Sequence, residues 1–133
     1  ASMAPAAAHT ISQHLKDFEE EPEAYDRIFT GDLGQYGLQL AGELVERDGY
    51  DIKDRLSDCG LIVYDRESQD VHAGGSGCGS SALTLVNYIL PAMMEGQYRK
   101  VLFVPTGALL SPLSTQQGES IPGIAQAVVL EAV

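Results

Sequence analysis

The chain contains no tryptophan, only two cysteines and only eight basic residues, against 19 acidic ones in a total of 133. The cysteines, Cys59 and Cys78, are too few for a disulfide framework and match no zinc-binding spacing, so we expect a reducing compartment. The net charge of −11 argues against nucleic-acid binding and against purely electrostatic attachment to anionic membranes. An anionic ligand would therefore depend on local N–H groups, and we predict no metal ion and no cofactor.

We also expect neither an export signal nor a membrane-spanning segment in this sequence. The first ten residues lack the basic region of a signal peptide. The longest uncharged run lies between Asp70 and Glu95, and its apolar part, Ser80–Met94, is too short to cross a bilayer. Since 44% of the residues are hydrophobic, we expect one packed domain over 1–133, with a ragged start over 1–5.

A glycine-rich stretch opens the uncharged run. His72–Ala82 reads HAGGSGCGSSA and holds four of the 14 glycines. Apolar residues then recur at helical spacing with almost no polar side, which predicts a deeply buried helix over Ser80–Met94. Because such a loop exposes backbone N–H groups at the positive end of a helix, it suits a carboxylate or a phosphate. Pro91 predicts a kink or a local rearrangement near Asn87.

The rest of the chain alternates helices and apolar strands. The other two predicted helices cover Ala6–Glu19 and Gly34–Arg47. The predicted strands are Tyr25–Thr30, Leu61–Tyr64, Val101–Val104 and Ile124–Val133, with Ile52–Asp58 as a connector. Four glutamates around Pro22 indicate a solvated acidic turn. This order predicts an α/β fold with a mostly parallel sheet, and ligand-binding turns after the strands at Thr30–Gly34 and Thr106–Ala108.

Six motifs carry a resemblance to a known family. They are MAPAA at Met3–Ala7, TGDLG at Thr30–Gly34, SDCGLIVYD at Ser57–Asp65, QDVHAGGSGCGSSA at Gln69–Ala82, VLFVPTGALLSP at Val101–Pro112 and STQQGESIPGIAQAV at Ser114–Val128. The order and spacing of these motifs resemble those in the C-terminal half of proteins of the stage V sporulation protein AD family, which belongs to the thiolase-like superfamily. The resemblance implies that the first thiolase-like repeat is missing here.

The resemblance also implies details of the fold. It implies a thiolase-like half, in which helices cover a mostly parallel sheet that ends in an antiparallel strand. The charge-free central helix would lie in the middle layer and pack against the other half. For this chain alone, an exposed face of that helix would drive self-association, and we expect a homo-oligomer.

Of the residues that thiolase-like enzymes use for acyl transfer, only His72 has a match here, because it aligns loosely with their second catalytic His or Asn. Those enzymes combine a cysteine of the first half with two groups of the second half, usually His with His or Asn. Where those enzymes usually have the first of these histidines, this chain has Thr30-Gly31-Asp32. Where thiolases have a second reactive cysteine, in the turn after Val101–Val104, this chain has Pro105-Thr106-Gly107. The resemblance therefore implies binding without turnover, with an acyltransferase as the alternative.

We predict a ligand-binding site made of His72, Gly74, Gly75, Ser76, Gly77, Cys78, Gly79, Asp32, Thr106 and Gly107. Several of these residues have a second interpretation. His72 either lines the pocket or hydrogen-bonds its own loop, and Cys78 is a small loop residue or a nucleophile. Cys59 is expected to be buried where the chain enters a strand. Asp32 is alternatively a loop residue or the N-cap of the Gly34–Arg47 helix.

The resemblance implies a role in moving dipicolinic acid, alone or as its calcium salt, into the forming spore. It implies a peripheral place at the forespore or spore inner membrane, among other subunits of the stage V sporulation membrane complex. A second alternative is a structural docking subunit of that complex. The residues Gln116, Gln117 and Glu119 either order the final loop or form an interface.

Overall fold

The computed structural model describes residues 3–62, 84–105 and 126–132. Its first elements are helix α1 (Ala4–Asp17), a 3-10 turn (Pro22–Ala24), strand β1 (Arg27–Thr30), helix α2 (Gly34–Arg47) and strand β2 (Leu56–Asp58). Helix α3 follows, with a π-helical part (Leu85–Ile89) and an α-helical part (Leu90–Met94), and then strands β3 (Lys100–Val104) and β4 (Val128–Glu131).

The strands form one sheet in the order β2-β1-β3-β4. Strand β1 is parallel to both β2 and β3, whereas β4 is antiparallel to β3. This confirms the predicted α/β class, the mostly parallel sheet and the antiparallel final strand. Since Thr30 pairs with both Asp58 and Val104, the three parallel strands end level with one another.

Alternate residues of β1 and β3 fill a hydrophobic core on each face of the sheet. Ile28 and Leu102 point into the core formed with α1 and α2. Phe29 and Phe103 point the other way and pack against α3. All four side chains are buried. The sheet is therefore covered on both faces, as its uninterrupted apolar strands predict.

The predicted helices at the start of the chain are confirmed. Helix α2 has the predicted bounds, Gly34–Arg47. Helix α1 begins two residues earlier than expected, at Ala4, so Ala4 and Pro5 belong to the helix and not to a ragged start. Proline suits the first helical turn because the N–H group that it lacks has no intrahelical partner there.

The second strand is not where the apolar pattern placed it. Residues 59–62 are helical, which contradicts the strand predicted over Leu61–Tyr64, and residues 63–64 lie outside the described part. The strand is instead Leu56–Asp58, within the expected connector, where it pairs with β1 from Ile28 to Thr30. A short apolar run fits a buried helical turn as well as a strand, and pairing with β1 decided between them.

Helix α3 contains the rearrangement expected near Asn87. Its first part, Leu85–Ile89, is π-helical, and Pro91 follows in the α-helical part. A proline removes the N–H group that would bond to the carbonyl four residues earlier, and here that residue is Asn87. A π turn is one way for a helix to absorb such a break.

One side of α3 is exposed, as the resemblance implies for this chain without its other half, whereas the helical spacing alone predicted a deeply buried helix. Ile89 and Met93 are buried against the sheet. On the other side, Val86, Leu90 and Met94 are 61%, 39% and 88% exposed. These three residues, spaced by four, form a continuous apolar stripe, the α3 stripe. The second side of α3 therefore has no cover in the part of the chain that the structure describes.

Helix α1 ends in a Schellman turn whose left-handed residue is not glycine. Glu19 has φ 51°, and the N–H of Glu20 bonds to the carbonyl of Leu15 at 2.9 Å. The N–H of Glu19 bonds to the carbonyl of Lys16 at 3.2 Å. This pattern satisfies two carbonyls of the last helical turn. It also turns the chain so that Glu20 faces the start of the sheet.

Candidate functional site

The level ends of β1, β2 and β3 form the carboxyl edge of the parallel sheet, where such folds usually bind ligands. The turn Gly31-Asp32 leaves this edge from β1, Cys59-Gly60 leaves it from β2, and Pro105 leaves it from β3. The N–H of Gly60 donates to the carbonyl of Gly31 at 2.8 Å. The first two turns are therefore in direct contact.

Asp32 is the only predicted site residue within the described part, and it lies at this edge. Its side chain is exposed. A Cβ atom on Gly60 would overlap the carboxylate of Asp32 and come within 3.2 Å of its Cα. Glycine at position 60 therefore allows the two turns to approach closely. The other nine predicted residues, in 72–79 and 106–107, lie outside the described residues.

Asp58 organises the carboxyl edge, although the sequence pattern placed it in a connector. Its buried Oδ1 accepts hydrogen bonds from the hydroxyl of Thr30 at 2.6 Å and from the N–H of Leu33 at 2.9 Å. Its Oδ2 accepts from the N–H groups of Gly34 at 3.2 Å and Leu61 at 3.3 Å. One carboxylate thus joins β1, the start of α2 and the helical turn over 59–62.

These contacts correct the N-cap interpretation of Asp32. The residue before α2 is Leu33, which makes no side-chain cap. The orphan N–H groups of the helix start are instead satisfied by Asp58, from the neighbouring strand. Burial raises the pKa of Asp58, and its four hydrogen bonds, from Leu33, Thr30, Gly34 and Leu61, oppose that rise.

Cys59 is buried, as expected, but it begins a helical turn after β2 rather than a strand. Burial raises the pKa of its thiol to about 12, and the carboxylates of Asp58 and Asp32 add to the rise. The thiolate is the nucleophilic form of cysteine. Cys59 is therefore a poor nucleophile at neutral pH.

The flanks of the undescribed segment 63–83 meet at the same edge. Thr84, the first described residue after that segment, is buried and donates a hydrogen bond from its hydroxyl to the carbonyl of Cys59 at 3.2 Å. The chain thus leaves the carboxyl edge after Ile62 and is back beside it at Thr84. The segment 106–125 also begins there, directly after Pro105.

A second polar cluster, which the sequence analysis missed, lies at the opposite, amino edge of the sheet. The hydroxyl of Tyr25 lies 2.7 Å from Nε2 of His14 and donates to Glu20 at 2.5 Å. Lys100 donates to the other oxygen of Glu20 at 2.7 Å. Glu20 therefore does not belong to a solvated turn, whereas His9 on α1 is exposed. In the sequence, the only indication of this cluster was a tyrosine and a lysine near the starts of two apolar strands.

The described residues hold neither a metal-binding cluster nor a membrane-spanning helix. They contain no cluster of three or more His, Cys, Asp or Glu side chains that would bind a metal ion. Among their helices, none combines the length and the apolar character needed to span a bilayer.

The family model for stage V sporulation protein AD matches residues 1–131. The chain belongs to the stage V sporulation protein AD family. This confirms the resemblance carried by the six motifs and makes the chain a member of a family of sporulation proteins.

A curated member of the family supports the same assignment. Stage V sporulation protein AD of Bacillus subtilis (strain 168) is 46% identical to the chain over 130 residues. The match covers 98% of this chain and 38% of the Bacillus protein. The chain therefore spans less than half the length of the curated relative that it matches.

Proposed function

We propose that this chain is part of a non-catalytic, thiolase-like sporulation protein that binds dipicolinic acid for its uptake into the developing spore. The observation that carries the proposal is the convergence at the carboxyl edge of the sheet. Thr30, Asp58 and Val104 end three strands at one level, and parallel α/β sheets bind their ligands at that edge. Membership of a sporulation family supports the biological setting.

Dipicolinate is a small planar dianion, and the glycine-rich loop suits its carboxylates. Backbone N–H groups between Gly74 and Gly79 would hold one carboxylate, with His72 as a further donor or cationic partner. An apolar pocket that no longer takes an acyl substrate would hold the ring, with Thr106 and Gly107 at its floor.

Charge favours the calcium salt over the free dianion in this proposal. The chain has a net charge of −11, and the exposed carboxylate of Asp32 lies at the proposed edge. A free dianion would be repelled, whereas a bound calcium ion would bridge the ligand and a carboxylate oxygen. The carboxylate of Asp58, by contrast, already accepts four hydrogen bonds from groups within the protein.

The described residues also favour binding over acyl transfer. The turn after β1 carries Asp32 where the enzymes of the superfamily usually carry histidine. An ionised carboxylate has no N–H or O–H to donate to a developing oxyanion.

Titration calorimetry of the full-length protein with dipicolinate, with and without calcium, tests the site. The double variant His72→Ala with Gly75→Val should bind dipicolinate at least tenfold more weakly. The first substitution removes a proposed partner of the carboxylate, and the second places a branched side chain in the glycine-rich loop. Asp32→Asn should strengthen binding of free dipicolinate and weaken binding of the calcium salt.

The matched control is Asp51→Asn, which makes the same charge change in an exposed turn elsewhere and should leave both affinities unchanged. Unchanged affinity in the double variant would refute the site. Transfer of an acyl group from a coenzyme A thioester, abolished by alkylation of a cysteine, would favour the acyltransferase alternative instead.

In the complete protein, the α3 stripe packs against the other thiolase-like half, and the protein docks peripherally on other subunits of the stage V membrane complex. The exposed Val86, Leu90 and Met94 support this layering. The 133-residue chain alone should therefore self-associate in size-exclusion chromatography, and Leu90→Lys should shift it to a monomer. A clean monomer of the unmodified chain would contradict the layering.

A further inference from the structure

Four polar side chains from distant parts of the chain form one connected cluster at the amino edge of the sheet. His14 lies on α1, Glu20 follows α1, Tyr25 precedes β1, and Lys100 begins β3. The side chain of His14 is 8% exposed, and Tyr25 is fully buried. The ammonium group of Lys100 also lies 4.9 Å from the centre of the Tyr25 ring. The cluster ties α1 to both central strands.

The hydrogen-bond partners of Tyr25 and Glu20 determine which atoms of the cluster carry protons. The hydroxyl of Tyr25 has one proton and two close partners, Glu20 Oε1 at 2.5 Å and His14 Nε2 at 2.7 Å. Burial raises the pKa of the Glu20 carboxyl, but the hydrogen bonds from Lys100 to its other oxygen and from Tyr25 outweigh burial and bring the pKa below its ordinary value. Glu20 is therefore ionised and accepts the tyrosine proton. Since the hydroxyl proton is then used, Nε2 of His14 must carry a proton and donate it to the tyrosine oxygen.

Nδ1 is consequently the only atom of His14 that titrates. Charged and titratable groups reach His14 from several elements. Asp17 and His9 lie on α1, Glu20 lies in the turn, Tyr25 precedes β1, and Lys100 lies on β3. Glu131 on β4 acts on Tyr25 and Lys100. Burial lowers the pKa of His14, Lys100 lowers it further, and Glu20 and Asp17 oppose the change.

We propose that His14, Glu20, Tyr25 and Lys100 form an acid-sensitive clamp, which loosens when His14 takes a second proton on Nδ1. The imidazolium would be a buried cation that shares one carboxylate with Lys100. Its Nε2 already lies 3.5 Å from Glu20, so it would compete with Tyr25 for Oε1. Burial of this charge beside Tyr25 and the ring of Phe18, whose centre lies 4.6 Å away, favours movement of the imidazolium toward solvent.

The sign of the pH effect follows from linkage. A histidine whose folded pKa is below 6.5, its ordinary value, binds fewer protons in the folded state than in the unfolded state. Its contribution to stability is complete above pH 6.5 and is lost as the pH falls through the folded pKa. One linked proton changes the unfolding equilibrium constant by at most about tenfold per pH unit.

Nitrogen-15 NMR of the histidine side chains in the full chain tests the proton placement directly. At pH 7.5 His14 should be in the Nε2–H form, and its titration midpoint should lie below 6.5. Amide exchange rates, corrected for intrinsic pH dependence, should show the first loss of protection at Phe18, Glu20 and Tyr25 on acidification. The N–H groups of these residues bond to the carbonyls of His14, Leu15 and Pro22 at the end of α1 and in the turn.

His14→Gln keeps a side-chain N–H donor toward Tyr25 but does not titrate. Relative to this variant, the wild type should lose stability below pH 6.5, by up to about tenfold in the unfolding constant per pH unit. His9→Gln, on the exposed side of the same helix, is the matched control and should follow the wild-type profile.

Three results would overturn the clamp: an Nδ1–H form at pH 7.5, a His14 midpoint at or above 6.5, or a His14→Gln profile with the wild-type slope. If His14→Gln does not fold, the NMR titration and the amide exchange of the wild type still decide the question.

Discussion

Replacing Asp58 with asparagine is expected to destabilise the full chain by roughly 2–4 kcal/mol. The amide oxygen of asparagine can replace one carboxylate oxygen and keep its two donors. The amide NH₂ group then faces the other two donors, which on the Oδ2 side are the N–H groups of Gly34 and Leu61. Both N–H groups are partly buried, so each one left without an acceptor costs toward the lower end of the about 1–3 kcal/mol of a fully buried donor.

Two further effects of the substitution partly cancel. Loss of the negative charge at the start of α2 costs about 0.3–1 kcal/mol through the helix dipole. Removal of a buried charge, whose burial raises the pKa of Asp58, returns part of the desolvation cost. The unsatisfied N–H groups outweigh this gain because two backbone donors are affected at once.

Urea unfolding followed by circular dichroism measures this loss, and amide exchange locates it. Exchange at Leu33 and Gly34 should accelerate, because their N–H groups bond to Asp58. Asp51→Asn, in an exposed turn, is the control and should change the stability by less than about 0.5 kcal/mol. If Asp58→Asn unfolds cooperatively within about 0.5 kcal/mol of the wild type, the assigned role of Asp58 is wrong.

Three other predictions concern stability and reactivity. Gly42→Ala should stabilise the chain by about 0.5–1 kcal/mol in urea unfolding, because alanine favours a helix. Its Cβ would lie at an ordinary contact distance, 3.5 Å, from the side chain of Leu56. A loss of stability would show that the space beside Leu56 does not admit a methyl group. Glu19→Gly should stabilise the chain by a similar amount, about 0.5–1 kcal/mol, by relieving a left-handed φ of 51°, and no change in Tm would argue against strain there. In a Cys78→Ser background, Cys59 should react with a thiol reagent at pH 8 only after unfolding, because its pKa is about 12 and it is buried; rapid reaction of the folded chain would contradict this environment.

Local patterns predicted most of the secondary structure. Helix α2 has the bounds that its apolar spacing indicates, and Pro91 predicts the irregular part of α3. The strand expected over Leu61–Tyr64 was wrong, because a short apolar run does not distinguish a strand from a buried helical turn. Leu56–Asp58 became the strand through hydrogen bonds to β1, about 28 residues earlier in the chain.

Long-range contacts explain why the candidate site was predicted only in outline. Asp32 was selected because it follows a predicted strand, and the structure places it at the carboxyl edge. Asp58 was not selected, since its partners Thr30 and Leu33 are 28 and 25 positions away. The hydrophobic pattern of one segment cannot indicate a carboxylate that accepts hydrogen bonds from a strand, a helix start and a turn at the same time.

The amino-acid sequence by itself determined the alternation of helices and apolar strands, the class of sheet, the break in α3 and the family to which the chain belongs. Each of these depends on neighbouring residues or on the order of motifs. Only the tertiary structure decided which strand pairs with β1, which side of α3 is exposed and which carboxylate caps α2. It also joined His14 to Lys100, 86 positions apart, through Tyr25 and Glu20. Such contacts form when the sheet brings distant segments together, and the hydrogen bonds then depend on distances that no local pattern contains.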